Sequence, residues 1–300
     1  MLNYRANGKL LLTSEYAITQ GAKGLAIPTR YGQKLNYTPN PEGSCIKWSS
    51  LRHDGQEWFW ADFSQTLEIL GTSNEIIAQR LIKNLEVVKA NTALLDRPGN
   101  FITNLEFPAE WGLGSSSTLA SLLAQCAGTN PLATFRKVHG GSGYDLACAT
   151  ANGPIIYRLH EDQPACEEVD IPFEFKHDIG FVYRGNKQLT SESLDLIQKN
   201  PFSDTQIDQF NELTDAFLEC KTILELEEVI IAHENLLSEH LGLPKVKDEL
   251  FSEFPGQVKS LGGWGGDFVM VTRLAASKKW LRNNGYKVIF PFKSLGLLRP

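Results

Sequence analysis

Gly112-Leu113-Gly114-Ser115-Ser116-Ser117-Thr118 is the stretch on which the reading of this chain turns. Phe101 to Phe107 before it has strand character, and Ser115 to Ala127 after it has the length and residue types of a helix. Glycines let a backbone turn tightly and approach a ligand closely. The first N–H groups of a helix have no partner inside it, and its dipole favours an anion there. Ser115, Ser116, Ser117 and Thr118 add hydroxyls suited to phosphate oxygens or a divalent cation. A serine-capped helix, or a plain glycine-serine turn, accounts for the same residues. No Gly-x-x-x-x-Gly-Lys-Ser/Thr and no protein-kinase signature occurs in the chain.

The surrounding composition narrows the field. The chain has 300 residues, 42% hydrophobic and 21% charged, enough for one large or two ordinary domains. A net charge of −6 argues against nucleic acid or an anionic membrane as a partner. Trp111 to Phe135 is uncharged, but its glycines, serines, threonines and Pro131 make it a poor membrane span. Arg5 and Lys9 precede any sustained apolar stretch, so no signal peptide is expected. Cys45, Cys126, Cys148, Cys166 and Cys220 are odd in number and widely spaced, which fits reduced thiols in a cytoplasmic protein. His233 and His240 lack the spacing of a zinc-binding His-Glu-x-x-His and read as helix-surface positions.

Strand-like runs dominate the first half: Lys9 to Ala17, Gly24 to Thr38, Cys45 to Trp48 and Glu57 to Phe63, with a hairpin signal at His53-Asp54-Gly55. A helical period follows over 74–90 and a strand over Gly153 to Leu159. Gln163 to Pro172 turns polar, and the boundary between an N-terminal domain (1–165) and a C-terminal domain (166–300) is placed there. The second half reads as a strand (Asp178 to Tyr183), helices over 190–200, 205–222 and 223–241, a strand (Asp267 to Thr272), a helix (Ala275 to Asn284) and a last strand (Lys287 to Phe290). Strands and helices mix without strict alternation, so the fold class is α+β.

Three further features carry chemistry. Gly262-Gly263-Trp264-Gly265-Gly266-Asp267 precedes a strand, and so many glycines suggest close approach of a ligand or of the first domain. Gly140-Gly141-Ser142-Gly143-Tyr144-Asp145 places an acid at the head of an apolar run, as a helix cap or a functional carboxylate. Lys9 opens an apolar strand, as an edge residue or a fixed charge aimed into a cleft.

Taken in this order, the features resemble the GHMP kinase superfamily of small-molecule kinases. Gly8-Lys9 through Ser14-Glu15-Tyr16-Ala17 matches its first motif, Gly112 to Thr118 its phosphate loop, and Gly262 to Asp267 its third motif. Glu15-Tyr16-Ala17, Ser142 to Cys148 and Lys259 to Asp267 look like the phosphomevalonate kinase branch. The resemblance implies an N-terminal domain like ribosomal protein S5 domain 2 and a ferredoxin-like C-terminal domain. It implies an ATP- and Mg2+-dependent kinase of the mevalonate pathway, with phosphomevalonate or mevalonate as acceptor. Another small alcohol or sugar acceptor, or a silent ligand-binding relative, remains an alternative. The resemblance gives ATP contacts to Gly112, Leu113, Gly114, Ser115, Ser116, Ser117, Gly262, Gly263, Gly265 and Gly266, with Ser116 also on the metal. Asp145 and Lys9 become catalytic; Glu15, Tyr16, Ser142, Gly143, Tyr144, Arg184, Lys187, Thr190 and Ser191 become substrate contacts. A monomer or homodimer is expected. Departures from the family pattern are Asn7 for proline, Ser14 for glycine, Leu261 and Trp264 in the third motif, and no acid between Glu110 and Asp145.

Overall fold

The computed structural model describes residues 1–185, 199–262 and 266–299. The chain divides into two compact units that interleave in sequence. The first comprises Met1–Gly8, Tyr31–Ala109 and Leu113–Thr150; the second comprises Lys9–Arg30, Glu110–Gly112 and Ala151–Pro300. Two strands, β1 (Leu2–Leu11) and β2 (Gly24–Pro39), supply residues to both.

In the first unit, β3 (Ile46–Leu51), β4 (Glu57–Phe63), β5 (Ile69–Thr72) and β6 (Gly99–Leu105) join β2 in the order β5-β4-β3-β6-β2. All neighbours are antiparallel except β3 and β6, and the parallel pair requires a long crossover. That crossover contains α1 (Glu75–Asn91). Inward and outward residues alternate along the strands, so Ile46, Trp48, Phe59, Phe63 and Phe101 make one apolar face while Trp58 and Trp60 point the other way. The apolar face is covered by α1, α2 (Ser115–Ala127), α3 (Pro131–His139) and α4 (Tyr144–Thr150). Helix α2 packs among the other three, which accounts for its lack of charge.

In the second unit, β7 (Ile155–His160) pairs with Gly24 to Ala26 of β2, and β8 (Gln163–Glu168) pairs with β7. A second sheet is antiparallel throughout: β9 (Gly180–Tyr183), β10 (Val258–Leu261), β11 (Phe268–Val271) and β12 (Ile289–Pro291), in the order β10-β11-β9-β12. Its described residues also form helices α5 (Asp204–Glu219), α6 (Ile223–Leu241), α7 (Val246–Leu250), α8 (Leu274–Asn283) and α9 (Phe292–Leu295). Ser203 and Gln206 form a capping box at the start of α5, and Thr222 caps α6. Among the described residues no helix is long and apolar enough to cross a membrane.

Several expectations are corrected. The strand expected over Lys9 to Ala17 starts at Leu2 and stops at Leu11, because Ser14 and Tyr16 sit at φ +62° and +61°, outside any strand conformation. Gln163 to Glu168, read as a polar boundary, is strand β8; all six of its residues are exposed, so it lacks the apolar alternation that announces a strand. Helix α3 was not anticipated, although Asn130 caps it and Pro131 opens it. His233, read as a surface position, is buried. The helix expected over 190–200 falls almost wholly outside the described residues.

A buried polar cluster ties the second unit together. Lys259 of β10 is fully buried, with Nζ 2.7 and 2.8 Å from the two carboxylate oxygens of Glu15 and 3.6 Å from Glu234 of α6. The Ser14 amide donates to His233 Nε2 at 2.8 Å, and Ser260 Oγ donates to Glu234 at 3.2 Å. Burial, then the Lys259 charge, hold His233 neutral, well below the ordinary histidine range. Burial also raises the Glu15 carboxyl, against the pull of Lys259. It pushes Glu234 up to about 7 from 4.5, partly offset by Lys259. A raised carboxyl contributes stability below its unfolded value that is lost as pH rises through the folded one. Glu234→Gln should therefore gain on the wild type between pH 5 and pH 8, by several degrees in thermal midpoint at most. Thermal unfolding at the two pH values measures this; an equal difference at both would show that Glu234 stays ionised.

Candidate functional site

The glycines of the 112–118 stretch are required by its backbone. Gly112 has φ +64° and Gly114 φ +89°, both in the left-handed region that favours glycine. A Cβ on Gly112 would lie 2.0 Å from Asp267 Oδ2, a neighbour in the same second unit. Beside it, Trp111 meets Phe268 and Phe290 edge to face, with centroids 5.9 and 5.4 Å apart. Leu113 to Ser117 belong to the first unit, where Leu113 is buried.

Helix α2 opens on Gly114 with no side-chain cap, whereas Asn74, Asn130, Ser203 and Thr222 cap α1, α3, α5 and α6. Two hydroxyls of its first turn face inward. Ser117 Oγ donates to the Gly114 carbonyl at 3.0 Å, and Thr118 Oγ1 to Gln33 Oε1 at 2.7 Å. Ser116 is exposed instead, with Oγ 3.2 Å from His139 Nδ1 at the end of α3. The other ring nitrogen, Nε2, lies 2.9 Å from Asn84 Oδ1 of α1.

Asp145 stands half-buried in the first turn of α4, where Oδ1 accepts the Leu146 N–H at 3.0 Å. Desolvation lowers the His139 imidazolium below its ordinary range, and the nearby Asp145 charge opposes this. Ser142 and Gly143 are buried just before α4, and Tyr144 begins it. Gly143 has φ +88°, and a Cβ there would press on the Arg136 side chain at 2.9 Å. His139 and Asn84 escaped the sequence reading. The signal for His139 was the Asn130-Pro131 helix start, which places it one α3 length downstream; nothing in the sequence singles out Asn84.

The remaining expected residues fall in the second unit. Lys9 is half-buried on β1. Glu15, expected at substrate, is fully buried with both oxygens on Lys259. Tyr16 is also buried, clustered with Ala17, Ala22, Phe202 and Phe210. The Arg184 amide donates to the Asp267 carbonyl at 2.9 Å, and its guanidinium reaches the Gly266 carbonyl at 3.5 Å. Gly262 has φ +82° with open space where a Cβ would be. Gly263, Gly265, Lys187, Thr190 and Ser191 lie outside the described residues. Among the other basic residues, Arg5 pairs with Glu106 at 2.9 Å and Arg30 donates to the Lys293 carbonyl.

Among the described residues no three His, Cys, Asp or Glu side chains converge to hold a metal by themselves. Ser116 is the exposed hydroxyl at the start of α2, so a divalent cation there would take most of its ligands from phosphate and water, the way Mg2+ is usually held.

No family model and no curated protein matches the sequence. The fold, by contrast, is that of the GHMP kinases. A mevalonate kinase structure aligns at TM-score 0.71 and 15% identity over 97% of this chain and 98% of its own. The Streptococcus pneumoniae phosphomevalonate kinase, in complex with phosphomevalonate and AMPPNP, aligns at TM-score 0.72 and 17% identity over 100% and 99%. The Lactococcus lactis galactokinase complexed with galactose aligns at 0.66 and 12% over 99% and 93%. At such identities the likeness is one of fold.

Gly112→Ala should cost about 1–2 kcal/mol for the left-handed backbone, and about 1–3 more for the contact with Asp267. Adding Asp267→Ala should recover only the second part. Chemical denaturation of both proteins tests this; full recovery in the double variant would remove backbone conformation from the account.

Proposed function

We propose that this chain is an ATP-dependent small-molecule phosphotransferase acting on phosphomevalonate or mevalonate. Beside the fold, one observation supports it: in the first unit, α2 opens without a side-chain cap, presents Ser116 to solvent, and shares that unit with Asp145. Phosphoryl transfer asks a protein mainly for positioning and charge neutralisation. In this reading the amides from Gly112 to Ser117 bind the ATP phosphates from the helix start. Ser116 Oγ would help to hold Mg2+, which when bound would draw charge from the phosphates. Asp145 accepts the proton of the acceptor hydroxyl. Lys9 offsets charge on the transferring group as a point cation. Ser142, Gly143 and Tyr144 contact the acceptor.

The same nucleotide-side residues suit a kinase of another small alcohol or sugar, so the deciding experiment is an acceptor panel. ADP release from Mg·ATP should be followed with phosphomevalonate, mevalonate, diphosphomevalonate, homoserine and galactose. Turnover is expected with phosphomevalonate or mevalonate, falling about 10²–10⁴-fold in Asp145→Asn with ATP binding little changed. A variant keeping more than half the activity would remove Asp145 from its role. Lys9→Met should lower kcat; a change confined to KM would make Lys9 a recognition residue.

A further inference from the structure

The sequence carries no acid between Glu110 and Asp145, and the structure puts a histidine beside Ser116 instead. Three hydrogen bonds define the state of that histidine. Asn84 Nδ2 donates to the Arg80 carbonyl at 3.2 Å, which turns Asn84 Oδ1 toward the ring. Oδ1 accepts only, so His139 Nε2, 2.9 Å away, carries the proton. Nδ1 of the neutral ring then holds a lone pair, and it faces Ser116 Oγ at 3.2 Å. An imidazole whose far N–H is fixed by a carbonyl keeps a lone pair on its near nitrogen, as a metal-ligating histidine does; here that nitrogen accepts the Ser116 hydroxyl, a bond that an arriving cation would replace.

The spacing agrees. Donors at adjacent corners of a six-coordinate divalent ion, each about 2.1 Å from it, stand about 3.0 Å apart. Ser116 Oγ and His139 Nδ1 are separated by 3.2 Å, so an ion can meet both with little movement. Both lie at the open end of α2, where the proposed phosphates arrive. His139 also ends a helix held by its own cap and by α1, which limits how far the ring can withdraw.

We propose that His139 Nδ1 is a nitrogen ligand of the divalent cation that accompanies the nucleotide, adjacent to Ser116, with Asn84 as the positioning residue that sets its tautomer. The assignment rests on the kinase reading above. A site with an imidazole donor also accepts transition ions more readily than an all-oxygen site does.

Pulsed EPR of bound Mn2+ with the methylene analogue AMPPCP tests this without turnover. Protein labelled with [15N]histidine should show a 15N coupling to Mn2+ that is absent from unlabelled protein and lost in His139→Ala. Asn84→Ala should keep the coupling but weaken Mn2+·AMPPCP binding by about tenfold, the scale for a lost orienting partner. Because the labelled wild type alone decides whether a histidine is bound, the test survives a variant that does not fold. Bound Mn2+·AMPPCP without 15N coupling, or with a coupling that persists in His139→Ala, overturns this inference and leaves the kinase reading standing. No binding of Mn2+·AMPPCP at all overturns both.

Discussion

The second unit depends on a lysine that water never reaches. Lys259 lies on β10, Glu15 on the turn after β1, and Glu234 on α6, so one ammonium group joins three segments far apart in sequence. Burying an ammonium costs several kcal/mol unless its partners are close and well oriented. The paired contacts to Glu15 meet that condition, and burial, with the Glu15 charge adding to it, makes the neighbouring Glu234 hold its proton more tightly against the pull of Lys259. Removing either partner would leave a charge stranded in a dry interior, so such a cluster constrains packing strongly whether or not it adds net stability.

The same cluster explains an altered motif residue. Ser14 occupies the position where the family pattern has glycine, and its φ of +62° lies where glycine is at ease and serine is not. The strain is offset locally. The Ser14 amide donates to His233, its hydroxyl donates to the Lys23 carbonyl at 2.6 Å, and the same hydroxyl sits 3.2 Å from Thr214 Oγ1. The left-handed backbone at Ser14 is thus held by hydrogen bonds from its own amide and hydroxyl. Glu15 follows directly, held by Lys259, so this stretch serves first as architecture.

Much of this was legible in the sequence, and the losses have physical causes. Glu57 to Phe63 and Ser115 to Ala127 match β4 and α2 end to end, because an alternating strand and a glycine-bounded apolar helix announce themselves locally. β8 was illegible because an exposed strand needs no apolar period. His233 was misjudged because a polar residue reads as surface unless its partners are known, and here the partner lies 219 positions away. His139 was overlooked similarly, since its meaning comes from Ser116 and Asn84, 23 and 55 positions away.

The charge around α2 carries a consequence for how a nucleotide would be received. Trp111 to Phe135 has no charged side chain, so this segment itself attracts an anion only through its backbone. His139 brings a neutral ring, and Asp145 in the same unit brings a negative charge. A bare triphosphate would meet weak attraction and a repelling carboxylate; one whose charge is already reduced by a divalent cation would meet donors that suit it. On the kinase reading the first unit therefore selects the cation complex over the free nucleotide. Equilibrium dialysis of ATP with Mg2+ and with excess chelator shows the difference as a large loss of affinity on chelation. Equal binding in both would mean that fixed cations of the protein neutralise the phosphates instead.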